Sequence, residues 1–294
     1  MAISVYKSSK AKNRILETYD QLISMWDVVV EERRVETRYG STQVIICGDE
    51  DLPPLVLFHG VGDDSALMWL FNAKELSKHF RLYAVDTIGG PGKSVPNDAY
   101  NKRFDDLIWI DELLDLLALD QVSMAGVSNG GYLIQYYGAN RPERVGKMVS
   151  MACAVPADRP GNTMISMIKI FLPEALFPTD RNIARLIRKL SGDNSHVITE
   201  NPVVMAHYAS LLRGFNTMAM TYHKIRSLDD SQIDSIRDRV LYLIGNRDPF
   251  ALMGGKALLV EYKMNARFFD GVGHGINHEM ADETNAMIIR FLQQ

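Results

Sequence analysis

The pentapeptide Gly126-Val127-Ser128-Asn129-Gly130 follows the apolar alternating run Val122-Ser123-Met124-Ala125 and opens a segment, Gly131 to Tyr137, with helical spacing. A serine at such a sharp strand-to-helix turn has the setting of a nucleophile elbow, its hydroxyl exposed beyond the end of a strand. The strained turn brings the positions two before and two after the serine against the neighbouring strand and helix, so both must be small. A serine hydroxyl is a poor nucleophile at neutral pH. It needs a base to take its proton and an acid to hold that base in one tautomer. His274, in Gly271-Val272-Gly273-His274-Gly275, is the candidate base, on a glycine-rich loop between the last strand and the last helix. His278 begins a helical segment and reads as a surface or capping histidine. Asp248, in Gly245-Asn246-Arg247-Asp248-Pro249, is the candidate acid, directly after the apolar run Leu241 to Ile244. An Asp-Pro pair also starts ordinary turns, so the weight lies in the order Ser128, Asp248, His274, each after a strand.

Such chemistry also needs donors for a developing oxyanion. His59-Gly60-Val61-Gly62 follows the strand-like run Leu55 to Phe58 and precedes a helical segment around Trp69, where backbone N–H groups lack helical partners. The N–H groups of Val61 and Asn129 are the expected pair, and only the backbone of Asn129 is used. His59, Gly60, Trp69, Met164 and Met205 are candidate substrate contacts. His59 reads more readily as a structural residue orienting its loop, and Met164 and Met205 as packing within a helical layer.

The elements that must position these residues alternate. Apolar runs at Leu55 to Phe58, Leu82 to Val85, Val122 to Val127, Val145 to Ala152, Val240 to Ile244 and Arg267 to Phe269 are separated by helical periods. Those periods lie around Ala66 to His79, Phe104 to Leu119, Gly131 to Asn140, Ala257 to Met264 and Met280 to Leu292. Alternation of this kind specifies an α/β fold with a mostly parallel sheet of about eight strands, led by a hairpin over Arg34 to Tyr39 and Gln43 to Cys47. An amphipathic helix from Lys10 to Trp26 precedes it, and its narrow apolar stripe reads as packing on the body. Residues 156–234 contain helical patches and no convincing strand: Met164 to Leu172, Asn182 to Leu190, Val203 to Leu212 and Met218 to Arg226. That stretch is expected to be a cap inserted between the core segments 1–155 and 235–294.

Whole-chain properties narrow the partner. With 294 residues, 32 basic and 36 acidic, the net charge of −4 leaves no electrostatic footprint for nucleic acid and no basic block for a membrane surface. A small molecule is the expected partner, and monomer or homodimer both remain open. No segment approaches the roughly 18 apolar residues of a membrane span, and the beginning of the sequence lacks a secretory pattern, so a cytoplasmic location is expected. Cys47 and Cys153 lie in apolar runs, read as buried free thiols, and have no metal-ligand company. No cofactor is called for.

Leu57-Phe58-His59-Gly60, Asp86-Thr87-Ile88-Gly89-Gly90-Pro91-Gly92-Lys93-Ser94, Gly126-Val127-Ser128-Asn129-Gly130, Gly245-Asn246-Arg247-Asp248 and Gly273-His274 with Glu279 resemble the successive signatures of the α/β-hydrolase superfamily. Thr37-Arg38-Tyr39-Gly40, Pro53-Pro54-Leu55-Val56-Leu57 and Met68-Trp69 are similar to the small bacterial carboxylesterases. The resemblance implies a serine esterase without cofactor, its triad on Ser128, Asp248 and His274. It differs at Asn129, where the family more often has a larger apolar or amide residue, and it does not extend through the cap. Ester, amide, lactone, thioester and carbon-carbon cleavage share the same oxyanion and stay open, as does a non-catalytic ligand sensor on the same scaffold. Gly60-Val61-Gly62 with Asp86 mimics a dinucleotide fingerprint of an NAD(P)-dependent oxidoreductase, but Ser65 stands where the third glycine belongs. Gly92-Lys93-Ser94 ends like a P-loop, yet Thr87 occupies its first glycine position.

Overall fold

The computed structural model describes residues 3–158, 170, 174, 176–250 and 255–294. Helix α1 (Ser9–Ser24) starts where the Ser8 side chain accepts from Ala11 N, and buries Ile15, Thr18, Tyr19 and Leu22. The sheet follows, with β1 (Glu31–Thr37), β2 (Gly40–Cys47), β3 (Pro54–Phe58), β4 (Arg81–Val85), a two-residue β5 (Val95–Pro96), β6 (Val122–Val127), β7 (Val145–Met151), β8 (Val240–Gly245) and β9 (Asn265–Phe269). Eight strands lie in the order β1-β2-β4-β3-β6-β7-β8-β9, with β5 paired to β2 off this path. Strands β3, β4 and β6 to β9 are mutually parallel, while β2 runs antiparallel to β1, β4 and β5.

Alternation along each strand divides the core in two. Leu55, Leu57, Val149, Met151, Leu241 and Leu243 face a layer containing Tyr19, Trp26, Trp69 and Ile288. Val56, Phe58, Met148, Tyr242 and Ile244 face Trp109, Leu113, Leu133 and Tyr137 on the other side. Each such side chain contributes about 1.5–3 kcal/mol on burial, so the two layers fix the strands' register and bring their carboxyl ends to one edge. The flanking helices are α2 (Ser65–Met68), α3 (Ala73–Leu76), α4 (Asp106–Leu116), α5 (Asn129–Asn140), α9 (Asp230–Ile236), α10 (Gly255–Glu261), α11 (Ile276–Glu279) and α12 (Ala281–Leu292). Between β7 and β8 the described residues also form α6 (Asp180–Leu190), α7 (His196–Thr199) and α8 (Pro202–Gly214). Helix α8 packs against α1 and α6. The last helix of the stretch, α9, instead joins Leu133 and Tyr242 in the core beneath the sheet through Ile233 and Ile236.

Three local expectations change. The helix expected over Ala66 to His79 is two short ones, because Asn72, at the break, donates to Asn277 O (3.1 Å) and Asn285 Oδ1 (2.8 Å). Met218 to Arg226 holds only the 3-10 turn Thr217–Met220; Tyr222 and His223 are drawn edge-on to Tyr100 and Phe104 instead. The hairpin turns earlier, at Arg38-Tyr39 with Thr37 opposite Gly40, since the Tyr39 ring packs edge-on to Phe104 at 4.7 Å. The patch Met164 to Leu172 lies, apart from Ile170, outside the described residues.

Candidate active site

Ser128 stands between β6 and α5 with φ 55° and ψ −117°, far from any ordinary region for a non-glycine residue. Its N–H donates to Met151 O at 2.8 Å, and its own carbonyl accepts from Tyr132 N at 3.1 Å, which fixes the turn from both sides. A Cβ on Gly126 would overlap the Gly130 carbonyl, and one on Gly130 would overlap the carbonyl of Phe58 in β3. The elbow is therefore wedged between two strands by backbone alone.

Asp248 follows β8 and His274 follows β9, so parallel pairing puts both at the edge where Ser128 sits. His274 Nδ1 lies 2.9 Å from Asp248 Oδ2. The other carboxylate oxygen of buried Asp248 accepts from Phe250 N at 2.9 Å. With Nδ1–H committed to the carboxylate, Nε2 is the ring atom left to take a proton. Asn246 N donates to Phe269 O (2.8 Å) and Arg247 N to Val272 O (2.9 Å), tying the two loops together. The Phe250 ring rests 4.6 Å from that of His274. Ser128 Oγ has no hydrogen bond to His274 among the described residues; the structure joins the acid to the base and brings the serine to the same edge.

Gly60 lies against the elbow, where an added Cβ would be 3.3 Å from Ser128 Cβ. Beside it, the N–H groups of Val61 and Asn129 donate to no group among the described residues. The Asn129 side-chain nitrogen likewise has no partner, in keeping with a role for its backbone only.

Against known proteins, residues 53–172 match the family model for the alpha/beta hydrolase fold. The carboxylesterase YbfK of Bacillus subtilis is 28% identical over 286 residues, covering 95% of this chain and 93% of that protein. The carboxylesterase nap of the same organism is 28% identical over 288 residues, covering 95% and 92%. Among solved structures, naproxen esterase (carboxylesterase NP) from Bacillus subtilis superposes with a TM-score of 0.81 at 24% identity, covering 97% of this chain and 99% of that one. The chain has the alpha/beta hydrolase fold and is similar to small bacterial carboxylesterases.

Other sequence-derived candidates fall in different places. His59 is fully buried; its Nε2 accepts from Thr87 N (2.8 Å), which leaves Nδ1–H for Gly60 O (2.8 Å) and no ring atom for a substrate. Burial lowers its pKa to about 4, so the ring is neutral. Trp69 is wholly enclosed in the core layer that also holds Tyr19 and Trp26. Met205 lines a groove between α1 and α8, together with Ala11 and Arg14. Met164 lies outside the described residues. His278, read as a surface or capping residue, is buried instead: its Nε2 lies 2.9 Å from Met68 O, at the break between α2 and α3, and burial lowers its pKa to about 4. That carbonyl takes Nε2–H, while Nδ1, with no partner among the described residues, is buried in a ring only 3% exposed.

Sequence reasoning missed the residues that hold the loops. Glu279 accepts from Gly273 N (3.1 Å) and Gly192 N (2.7 Å), fastening the His274 loop to the turn after α6; burial raises its pKa. Asp64 caps α2 by accepting from Leu67 N at 3.1 Å, a role that an Asp before a short apolar helix could have signalled. Asp86 accepts from Ser65 N (3.0 Å), Lys93 N (2.8 Å) and the Tyr19 hydroxyl (3.0 Å), so the glycine string after β4 serves to wrap a carboxylate. Asp63, 8% exposed, accepts from Asp64 N at 3.0 Å, and burial with the Asp64 charge raises its pKa to about 7.

Proposed function

We propose that the protein is a serine carboxylesterase that cleaves small to medium, largely apolar carboxylic esters through an acyl-enzyme. Ser128 Oγ attacks the ester carbonyl as His274 Nε2 takes its proton, and the oxyanion is held by the N–H groups of Val61 and Asn129. Asp248 holds the imidazolium, which returns the proton to the leaving alcohol; water then releases the acid by the same steps in reverse. In this reading residues 156–234 form a cap whose inner face selects the acyl and alcohol groups, and the enzyme works without a cofactor.

The observation that carries the reading is the 2.9 Å contact of His274 Nδ1 with Asp248 Oδ2 at the edge occupied by the strained serine. The similarity to Bacillus carboxylesterases over 95% of the chain supports esters as the substrate class. Hydrolysis of a chromogenic short-chain ester tests it. Ser128→Ala is expected to lower kcat by at least ~10⁴-fold, and a fluorophosphonate should label Ser128 alone. Turnover that survives in Ser128→Ala, or a label found elsewhere, would overturn the assignment.

A further inference from the structure

The hydrolase carries a buried histidine that the triad does not use. His207, on α8, and Asp64, at the start of α2, are both 0% exposed, and His207 Nε2 lies 2.8 Å from Asp64 Oδ2. On its other side, His207 Nδ1 is 2.8 Å from Thr18 Oγ1 of α1. The Thr18 hydroxyl also reaches the helix carbonyls of Arg14 (3.1 Å) and Ile15 (3.0 Å), so it can place its proton on one of them and accept from Nδ1–H. In that arrangement both ring nitrogens carry hydrogen and the ring faces the Asp64 carboxylate as an imidazolium.

The charges around it agree. Burial alone would lower the pKa of His207, but the Asp64 charge and hydrogen bond, with Asp63 and Asp86 adding to them, leave it raised. Burial alone would raise that of Asp64, and His207 more than offsets it. His59 from the end of β3 and Tyr6, Tyr19 and Tyr208 from the amino-terminal segment, α1 and α8 also face these carboxylates. Among the described groups packed here, His207 is the ring paired directly with a buried aspartate, Asp64, while Asp63 and Asp86 lie nearby with their pKa values raised to about 7 by burial and the Asp64 charge.

What this pair holds is the loop with the oxyanion donor. Gly60-Val61-Gly62 has little grip of its own: Val61 is 54% exposed, and a Cβ on Gly62 would meet nothing within 4 Å. The loop hangs between two posts. One is His59, bonded to Thr87 N and Gly60 O. The other is Asp64, with one oxygen on Leu67 N and the other on His207. We propose that His207, braced by Thr18, is a positioning residue for ester hydrolysis, its ion pair with Asp64 setting the direction of the Val61 N–H from the helical layer above the site. This rests on the esterase reading for its consequence, while the restraint on the loop is measurable without turnover.

His207→Gln removes the charge and keeps a hydrogen-bonding side chain. Per fluorophosphonate-titrated Ser128, kcat is expected to fall about 10–100-fold, short of the loss of a whole donor, with KM changing less than about 3-fold. Amide exchange across residues 60–68 should speed by at least about 10-fold, with the β6 elbow unchanged. In the wild type kcat should decline at alkaline pH as His207 loses its proton, and His207→Gln should lack that decline. Thr18→Val, which leaves the ring in place and takes away its brace, should act in the same direction by about 3–10-fold. Ile183→Val, a change in the packing of α6, lowers Tm without these effects. Wild-type kcat in His207→Gln, unchanged exchange in the loop, or an equal loss in Ile183→Val would each overturn the proposal. If His207→Gln does not fold, Thr18→Val decides by the same readings. If the wild type hydrolyses no ester, the esterase reading fails and the exchange measurement alone decides whether His207 restrains the loop.

Discussion

The elbow after β6 and the loop after β3 meet where Gly60 lies against Ser128, yet they are held in opposite ways. At the elbow the restraint is backbone against backbone: Gly126 and Gly130 have no room for a Cβ, and Ser128 N is bonded to Met151 O. At the oxyanion loop the backbone has room at Gly62, and the restraint comes from side chains, His59, Asp64 and Asp86, with His207 and Tyr19 behind them. A nucleophile must stay fixed through every step, which close packing provides. An oxyanion donor borders the bound substrate, and a loop tied by charge can be set by the helices around the substrate site.

Substitutions on each side sharpen this contrast. Asp248→Asn sets the scale, since it loses the carboxylate that fixes His274 and leaves both loops in place; kcat should drop about 10⁴-fold with an unchanged Tm. Val61→Pro removes one donor N–H on the charge-tied loop and should lower kcat about 100- to 1000-fold. Gly130→Ala pits a methyl group against the Phe58 carbonyl and should cost about 3 kcal/mol or more, read as insoluble protein or a Tm reduced by several degrees. Gly62→Ala, at φ 77° in open space, should cost only about 1–2 kcal/mol. Equal costs at Gly130 and Gly62 would break the distinction between the two regions.

The remaining test is electrostatic. The Asp63 carboxyl, raised to about 7 by burial, keeps its proton in the folded state at pH values where an unfolded Asp, near 3.9, has released it. The folded state binds the extra proton, so this contribution to stability is present in full below about pH 4 and is lost as pH rises through about 7. Asp63→Asn should therefore match the wild type in Tm near pH 4 and exceed it by roughly a few degrees at pH 8. A constant difference across that range would mean that Asp63 does not titrate there.

Strands were legible wherever their burial is symmetric, as in Val122–Val127, because a run apolar on both faces has no other stable home than the middle of a sheet. The gathering of Ser128, Asp248 and His274 was legible for a related reason: each follows a strand, and strand order brings the followers to one edge. Met218 to Arg226 misled because helical spacing there yields to the pull of Tyr222 and His223 toward the Tyr100 cluster. His278 misled because the break between α2 and α3 frees a buried carbonyl at Met68 that only the fold reveals.

The sequence by itself determined the alternation of strand and helix and singled out Ser128, Asp248 and His274 as candidates, because steric demands and burial periodicity act between near neighbours. Only the tertiary structure decided what anchors the loop after β3. Asp64 and His207 stand 143 positions apart, each unremarked in its own helix. A buried charge is stabilised by whichever opposite charge the fold sets beside it, and that distance is not written in any local pattern.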